Sequence, residues 1–227
     1  MKGKLIIIEA GSDASGKATQ TKKLFSRMRG EKYNIRKVEY PNYRSSSSAL
    51  VKMYLNGEFG CRPDDVNAYA ASTFFAVDRY ASYIKEWKGF YEDGGIVLSD
   101  RYTTSNMVHQ ASKIEDEVQR NSYLDWLWDL EFVKLGLPVP DLVIFLDVPP
   151  VISNNLISKR KNKITGSSQK DIHERDRDYL MKTYLNACRV AEKYGWKRIE
   201  CTYDSCLRSI EDIHDEIYKN VIQNLPL

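Results

Sequence analysis

The sequence predicts an α/β fold: a parallel, five-stranded sheet with helices on both faces. Three observations predict it. Short apolar runs, each the length of a strand, recur along the 227 residues. Longer stretches with helical spacing separate them. The first run leads through a glycine-bearing loop straight into a helical pattern. Strands that alternate with helices are joined by crossovers, which make neighbouring strands parallel and cover both faces of the sheet. In such sheets chemistry gathers at the carboxyl ends of the strands.

The strands are expected at Leu5–Ile8, Ile35–Glu39, Ile96–Leu98 and Leu142–Leu146, with a weaker fifth at Arg198–Cys201. Helical spacing marks Ala70–Trp87, Ile114–Phe132 and Tyr179–Tyr194. "SSSSAL" (Ser45–Leu50) reads as a loop running into a helix, and "SIED" (Ser209–Asp212) as the N-cap of a last helix reaching about Asn224. "KRKNKITGSSQK", Lys159–Lys170, is a long polar segment flanked by helical patterns; it is too short for an interdomain linker and suits a mobile flap. No internal repeat is visible. One domain over residues 1–227 is expected.

At 42% hydrophobic and 29% charged residues the chain reads as globular, not disordered. Its 34 basic residues nearly balance 31 acidic ones, a net +3, so the charge argues against a nucleic-acid partner. Cys61, Cys188, Cys201 and Cys206 form no Cys-x-x-Cys pair and read as reduced thiols of a cytoplasmic protein. "MKGKLIII" meets Glu9 at once, too short an apolar run for a signal peptide, and no stretch approaches a membrane-spanning length.

The strongest motif is the loop Gly11-Ser12-Asp13-Ala14-Ser15-Gly16-Lys17, with Ala18 and Thr19 opening the helix behind it. Gly-x4-Gly-Lys between strand and helix lets backbone N–H groups converge on phosphates, while the lysine reaches the terminal ones. Ala18 removes the hydroxyl that ordinarily coordinates magnesium there. Thr19 is not a simple substitute, because the next helical position lies about 100° further round the axis. Magnesium bound with ATP is therefore expected to lean on the phosphates, waters and a carboxylate.

"IVLSDRYTTSN" supplies that carboxylate as Asp100 at a strand end, with the forked donor Arg101 beside it. Asp147 ends another strand, but a turn or cap role suits it equally. Phe75 and Arg79 lie four residues apart on one helix face, where a ring to stack on a base and a guanidinium to reach its carbonyl are plausible. A core phenylalanine and a surface arginine explain the same spacing. Lys159, Arg160, Lys161 and Lys163 form either a solvated face or a flap that closes over phosphates. "DIHE" reads as a helix start that gives Asp171 and Glu174 a structural role, and His109, His173 and His214 lack metal-ligand spacing.

Together the chain resembles the thymidylate kinases, P-loop enzymes that phosphorylate dTMP with ATP. The carriers are "EAGSDASGKATQT", "EYPNY", "FFAVDR", "SDRYTTSN" followed by "HQ", "GLPVPDLVIFLDVPP", and a basic flap before an acidic helix start, in family order over nearly the whole chain. The resemblance implies a P-loop kinase fold with a basic lid at about 159–172, and a homodimer. It implies that Asp13 accepts from the 3′-hydroxyl, Phe75 stacks on thymine, Arg79 donates to a base oxygen, and Asn106 pairs with the base edge. It puts Arg101 on the acceptor phosphate, and Lys17 with a flap base, Arg160, on the moving phosphoryl group. Arg44, Ser105 and Gln110 complete the implied acceptor site.

Some positions depart from the family. Ala14 stands where some relatives carry arginine, which suits the variant that takes its cation from the flap. The family does not always keep a hydroxyl at the place of Ala18. His109 stands where a tyrosine near the sugar is frequent, Arg44 lies one residue beyond the usual basic position, and Ile172 replaces an arginine. Three alternatives stay open at this point. A deoxynucleoside kinase would need a carboxylate base, for which Glu39 offers itself. A GTPase switch would need Asn-Lys-x-Asp, and the nearest match is "NKIT" at Asn162–Thr165. A nucleotide-binding pseudoenzyme is suggested by Ala18.

Overall fold

The computed structural model describes residues 2–12, 15–157, 177–204 and 206–225. Five strands, β1 (Lys4–Ala10), β2 (Ile35–Glu39), β3 (Ile96–Asp100), β4 (Leu142–Asp147) and β5 (Lys197–Glu200), form a parallel sheet in the order β2-β3-β1-β4-β5. All five expected runs are strands of this sheet. β1 is central and buried on both faces, which is why its sequence is continuously apolar instead of alternating. Leu5 and Ile7 pack on one side with Val97, Trp87 and Tyr91. Ile6 and Ile8 pack on the other.

The helices are α1 (Lys17–Gly30), α2 (Ala49–Leu55), α3 (Ala68–Ser82), α4 (Lys88–Glu92), α5 (Thr103–His109), α6 (Glu117–Trp128), α7 (Pro150–Ile157), α8 (Arg177–Lys193) and α9 (Ile210–Asn224). Leu24 and Met28 of α1 and Ile213, Ile217 and Val221 of α9 cover the Ile6/Ile8 face. Side-chain caps fix three starts: Asn67 Oδ1 accepts from Ala70 N, Asp116 Oδ1 from Gln119 N, and Ser209 Oγ from Asp212 N.

Two predicted helices differ in detail. The Ala70–Trp87 stretch is α3 followed by a π-helical turn, Tyr83–Trp87. The Ile114–Phe132 stretch is α6 followed by another, Asp129–Lys134. A π turn adds a residue per hydrogen-bonded ring, so a 3.6-residue count slips beyond it. The hairpin β6 (Thr202–Tyr203) and β7 (Cys206–Leu207), and the short α5, are too brief to show any period. The lid at about 159–172, Asp171 to Glu174, Asp13, Ala14 and Arg160 lie outside the described residues.

Strand order reverses around β1, with β3 on one side and β4 on the other, so a crevice opens at its carboxyl end. The register pairs Ile8 with Asp100, which brings the loop after β1 next to the residues after β3. Helix α8 then anchors α5 from behind. The last carbonyls of a helix need partners from elsewhere. Asn186 Nδ2 donates to the carbonyls of Met107 (2.9 Å) and Val108 (2.7 Å), and the Tyr179 hydroxyl donates to that of His109 (2.9 Å).

Candidate active site

Gly16 stands before α1 with φ 86°, a left-handed conformation that glycine adopts without strain. Lys17 is buried, and its Nζ turns back over the loop to the Ser12 carbonyl (2.9 Å) and Ser15 Oγ (3.3 Å). The strand, lysine and helix expected from the sequence are present, with Gly11, Ser12, Ser15 and Gly16 as the described residues of the loop between them. Ala18 and Thr19 both face outward on the exposed side of α1. Gly11 lies against α8, where a Cβ would come within 2.9 Å of Ala187 Cβ and 3.1 Å of Tyr184 Cα.

Arg101 leaves β3 with φ 70°, a strained setting for a side-chain-bearing residue. This bend turns its guanidinium over α5. Nη1 donates to His109 Nε2 at 3.0 Å, lies 3.5 Å from Ser105 Oγ, and forms an ion pair with Glu9 at 3.7 Å. Glu9 is fully buried in β1. It is satisfied by Thr104 Oγ1 (2.8 Å), Ser105 Oγ (2.5 Å) and the Ala10 N–H (3.0 Å). Sequence reasoning passed over Glu9 as a site residue. A carboxylate in a central, doubly covered strand needs a buried cation and donors, and that need was the available signal.

α3 and α5 face one another and carry the expected base-binding residues. Phe75 is half-buried, with its ring edge-on to Tyr54 at 6.1 Å. Arg79 is not the surface arginine that its spacing also allowed: it is 1% exposed and forked onto Glu131, with Nε–Oε2 2.7 Å and Nη2–Oε1 2.5 Å. Its Nη1 faces the Tyr102 carbonyl at 3.4 Å, and Thr103 Oγ1 donates to Glu131 Oε2 at 2.6 Å. Asn106 Nδ2 donates to the Ser72 carbonyl, bridging α5 to α3. Gln110 is buried, and its Oε1 has no partner among the described residues. Arg44 is exposed on the loop before α2. That loop is tied to α3 by Asp78, which accepts from Asn42 N (2.7 Å) and Ser47 Oγ (2.6 Å).

The two strand-end acids separate cleanly. Asp147 is consumed: Tyr184 donates to Oδ1 (2.9 Å), and Arg198 to Oδ2 through Nε (2.8 Å) and Nη2 (2.5 Å). Burial, and then Asp147, push the Tyr184 phenol pKa up. Asp100 is buried, yet its carboxylate accepts no hydrogen bond from the described residues. Glu39 is exposed and sits 3.7 Å from Lys37 Nζ, poorly placed as a buried base. No group of three or more metal-ligating side chains occurs among the described residues.

Comparison with known proteins decides the family. The sequence model described as Thymidylate kinase matches residues 8–217. The chain belongs to the thymidylate kinase family. It is 30% identical over 193 residues to the thymidylate kinase of Mycobacterium tuberculosis strain H37Rv, covering 85% of this chain and 87% of that one. It is 26% identical to that of Plasmodium falciparum, covering 97% and 90%. The fold is similar to a solved thymidylate kinase structure from Candida albicans, with a TM-score of 0.72 and 21% identity, covering 98% of this chain and 92% of that one. The chain is accordingly a kinase that phosphorylates dTMP to dTDP. The deoxynucleoside kinase, GTPase and pseudoenzyme alternatives are not favoured.

Proposed function

We propose that the crevice at the carboxyl ends of β1 and β3 holds ATP and dTMP end to end, as one kinase domain over residues 1–227. The observation that carries this is the juxtaposition in the central sheet: the phosphate loop follows β1, and Arg101 follows its neighbour β3. The loop from Gly11 to Thr19 cradles the ATP phosphates with its amides, and Lys17 swings from the Ser12 carbonyl to the terminal phosphates. Arg101 grips the acceptor phosphate, with Arg44 approaching from the exposed loop. Phe75 stacks on thymine, and Arg79, Asn106, Ser105 and Gln110 line the base and sugar. Asp13 and Arg160 take the roles the family resemblance gives them, on the 3′-hydroxyl and the moving phosphoryl group.

The acceptor is already an anion, so no general base is required. Catalysis is positioning and charge stabilisation, in which an arginine contributes on the order of 10³–10⁵ in rate. Asp100 fits a magnesium ligand, because its buried carboxylate accepts no hydrogen bond from the described residues. Bound there with ATP, the ion supplies neutralising charge on the phosphates. A lid at about 159–172 excludes water from the transfer.

We propose a homodimer through α3. Val77, Tyr80 and Ile84, exposed by 54%, 41% and 45%, line up with Tyr69 along one side of α3 and the turn after it. Val77→Glu is expected to halve the mass measured by light scattering. No helix among the described residues is long and apolar enough to cross a membrane. The four cysteines are free and two are exposed, which suits a reducing, cytoplasmic setting.

An ADP-release assay over a panel of nucleoside monophosphates and thymidine tests the reading. Turnover with dTMP and none with thymidine is expected. Arg101→Ala is expected to lose at least about 100-fold in kcat/KM for dTMP. Turnover of thymidine alone, or an indifferent Arg101→Ala, overturns it.

A further inference from the structure

We infer that His109 is a positioning residue for Arg101, setting the plane in which its guanidinium meets the acceptor phosphate. The inference rests on the assignment of Arg101 to that phosphate. Arginine has N–H donors and no acceptor, and it keeps its charge at every working pH. The 3.0 Å contact from Arg101 Nη1 therefore makes His109 Nε2 the acceptor, in the neutral ring tautomer protonated at Nδ1. Glu9 and Ser105 approach the same nitrogen, Nη1, at 3.7 and 3.5 Å. Of the three, the histidine makes the shortest contact. Glu9 divides its oxygens among Thr104, Ser105 and the Ala10 amide, so the ion pair alone supplies charge but little direction.

A planar fork held at one nitrogen by a hydrogen-bond acceptor has fewer orientations open to its remaining N–H groups. Such orientation matters for Arg101 because its backbone is strained at φ 70° and supplies only the bend. The histidine is itself held from the far side. Its carbonyl accepts from the Tyr179 hydroxyl (2.9 Å) and from Ser112 Oγ (2.8 Å), and Asn186 secures the two residues before it. The chain of contacts thus runs from α8 through the end of α5 to the guanidinium. A histidine that merely fills space has no need of a ring nitrogen aimed at a cation. Arg101 contacts this ring directly, and Glu9 pairs with the same guanidinium nitrogen.

The test compares His109→Leu, which keeps bulk but removes the acceptor, with His109→Gln, which restores one. Loss of a hydrogen bond to a charged group is expected to lower kcat/KM for dTMP by about 10-fold or more in His109→Leu. The KM for ATP should stay within about twofold, and His109→Gln should recover to within about threefold of wild type. Thermal midpoints are recorded for each variant. In an Arg101→Lys background the His109→Leu effect should shrink to less than about threefold, because lysine offers no fork to orient. Equal losses toward ATP and dTMP, or an undiminished effect in the Arg101→Lys background, overturn the inference. If Arg101→Ala abolishes turnover while His109→Leu is silent, only the inference falls. If Arg101→Ala is itself indifferent, the phosphate assignment fails and takes the inference with it.

Discussion

The pair Arg79–Glu131 gives a quantitative test, because it couples stability to the base recognition proposed for Arg79. The two side chains are 1% and 0% exposed, joined at 2.7 and 2.5 Å in a bidentate fork, with the Thr103 hydroxyl as a third donor to the carboxylate. Glu131→Gln leaves a buried guanidinium without its counter-charge. Arginine cannot escape by losing a proton, so the penalty is not relieved by a pKa shift. Breaking one side of a buried pair costs about 3–5 kcal/mol. For a chain of this size each kcal/mol moves the thermal midpoint by about 2–4 °C, so a fall of roughly 6–20 °C is expected. The double replacement Arg79→Met with Glu131→Leu removes both charges together. Removing a buried pair whole is often near neutral, so only the Thr103 hydroxyl is left short of a partner, at about 1–3 kcal/mol. Urea denaturation and ADP-release kinetics are run on both variants. The double variant should be the more stable of the two and yet lose dTMP selectively, with the ATP KM little changed. A Glu131→Gln protein within about 1 kcal/mol of wild type refutes the energetic argument. A double variant with wild-type kcat/KM for dTMP refutes the base assignment.

Other predictions follow from single contacts. Gly11→Ala drives a methyl against Ala187 Cβ and the Tyr184 backbone at 2.9 and 3.1 Å, so α8 must shift; a thermal midpoint lowered by about 2–10 °C and a raised ATP KM are expected. Burial pulls the Lys113 amine down from 10.5 to about 8, so between those values the unfolded chain binds more protons and stability rises with pH. Below about pH 8 both states are protonated and the dependence vanishes; Lys113→Met should flatten the rise in urea midpoints between about pH 8 and 9.5. Asp100→Asn should raise the magnesium concentration for half-activity several-fold while leaving dTMP binding, measured calorimetrically, unchanged. Equal activation curves sink the ligand assignment.

The sheet was legible because its information is local. Three continuous apolar runs, the more polar Ile35–Glu39 and a weaker fifth each became a parallel strand, and the Gly11–Lys17 loop announced the turn from β1 into α1. α5 was not legible from periodicity: seven residues complete too few turns, and its end is specified by Asn186 and Tyr179 more than 69 residues away in sequence. The exit angles of α3 and α6 escaped for a related reason. Each passes into a π turn, and a change of pitch leaves no mark in residue spacing.

The electrostatic partners were half-visible. Leu124, Leu127 and Glu131 fall on one helical stripe, as do Ala68, Ala71, Ser72, Ala76 and Arg79, and all are buried. A lone charge on an apolar stripe is costly by itself, so each of these residues demanded an opposite charge from another element. Glu9 in β1 made the same demand, and Arg101 meets it. What no spacing reveals is which cation answers which carboxylate. That choice is made by topology: β1 beside β3 selects Arg101 for Glu9, and the packing of α3 against the turn after α6 selects Arg79 for Glu131. Exchanging partners would strand a buried charge at each site. The two acidic residues therefore hold the two arginines in separate places, Arg101 over α5 and Arg79 buried on α3. In the proposed reading, this separation lets a single crevice receive an acceptor by its phosphate at one end and its base at the other.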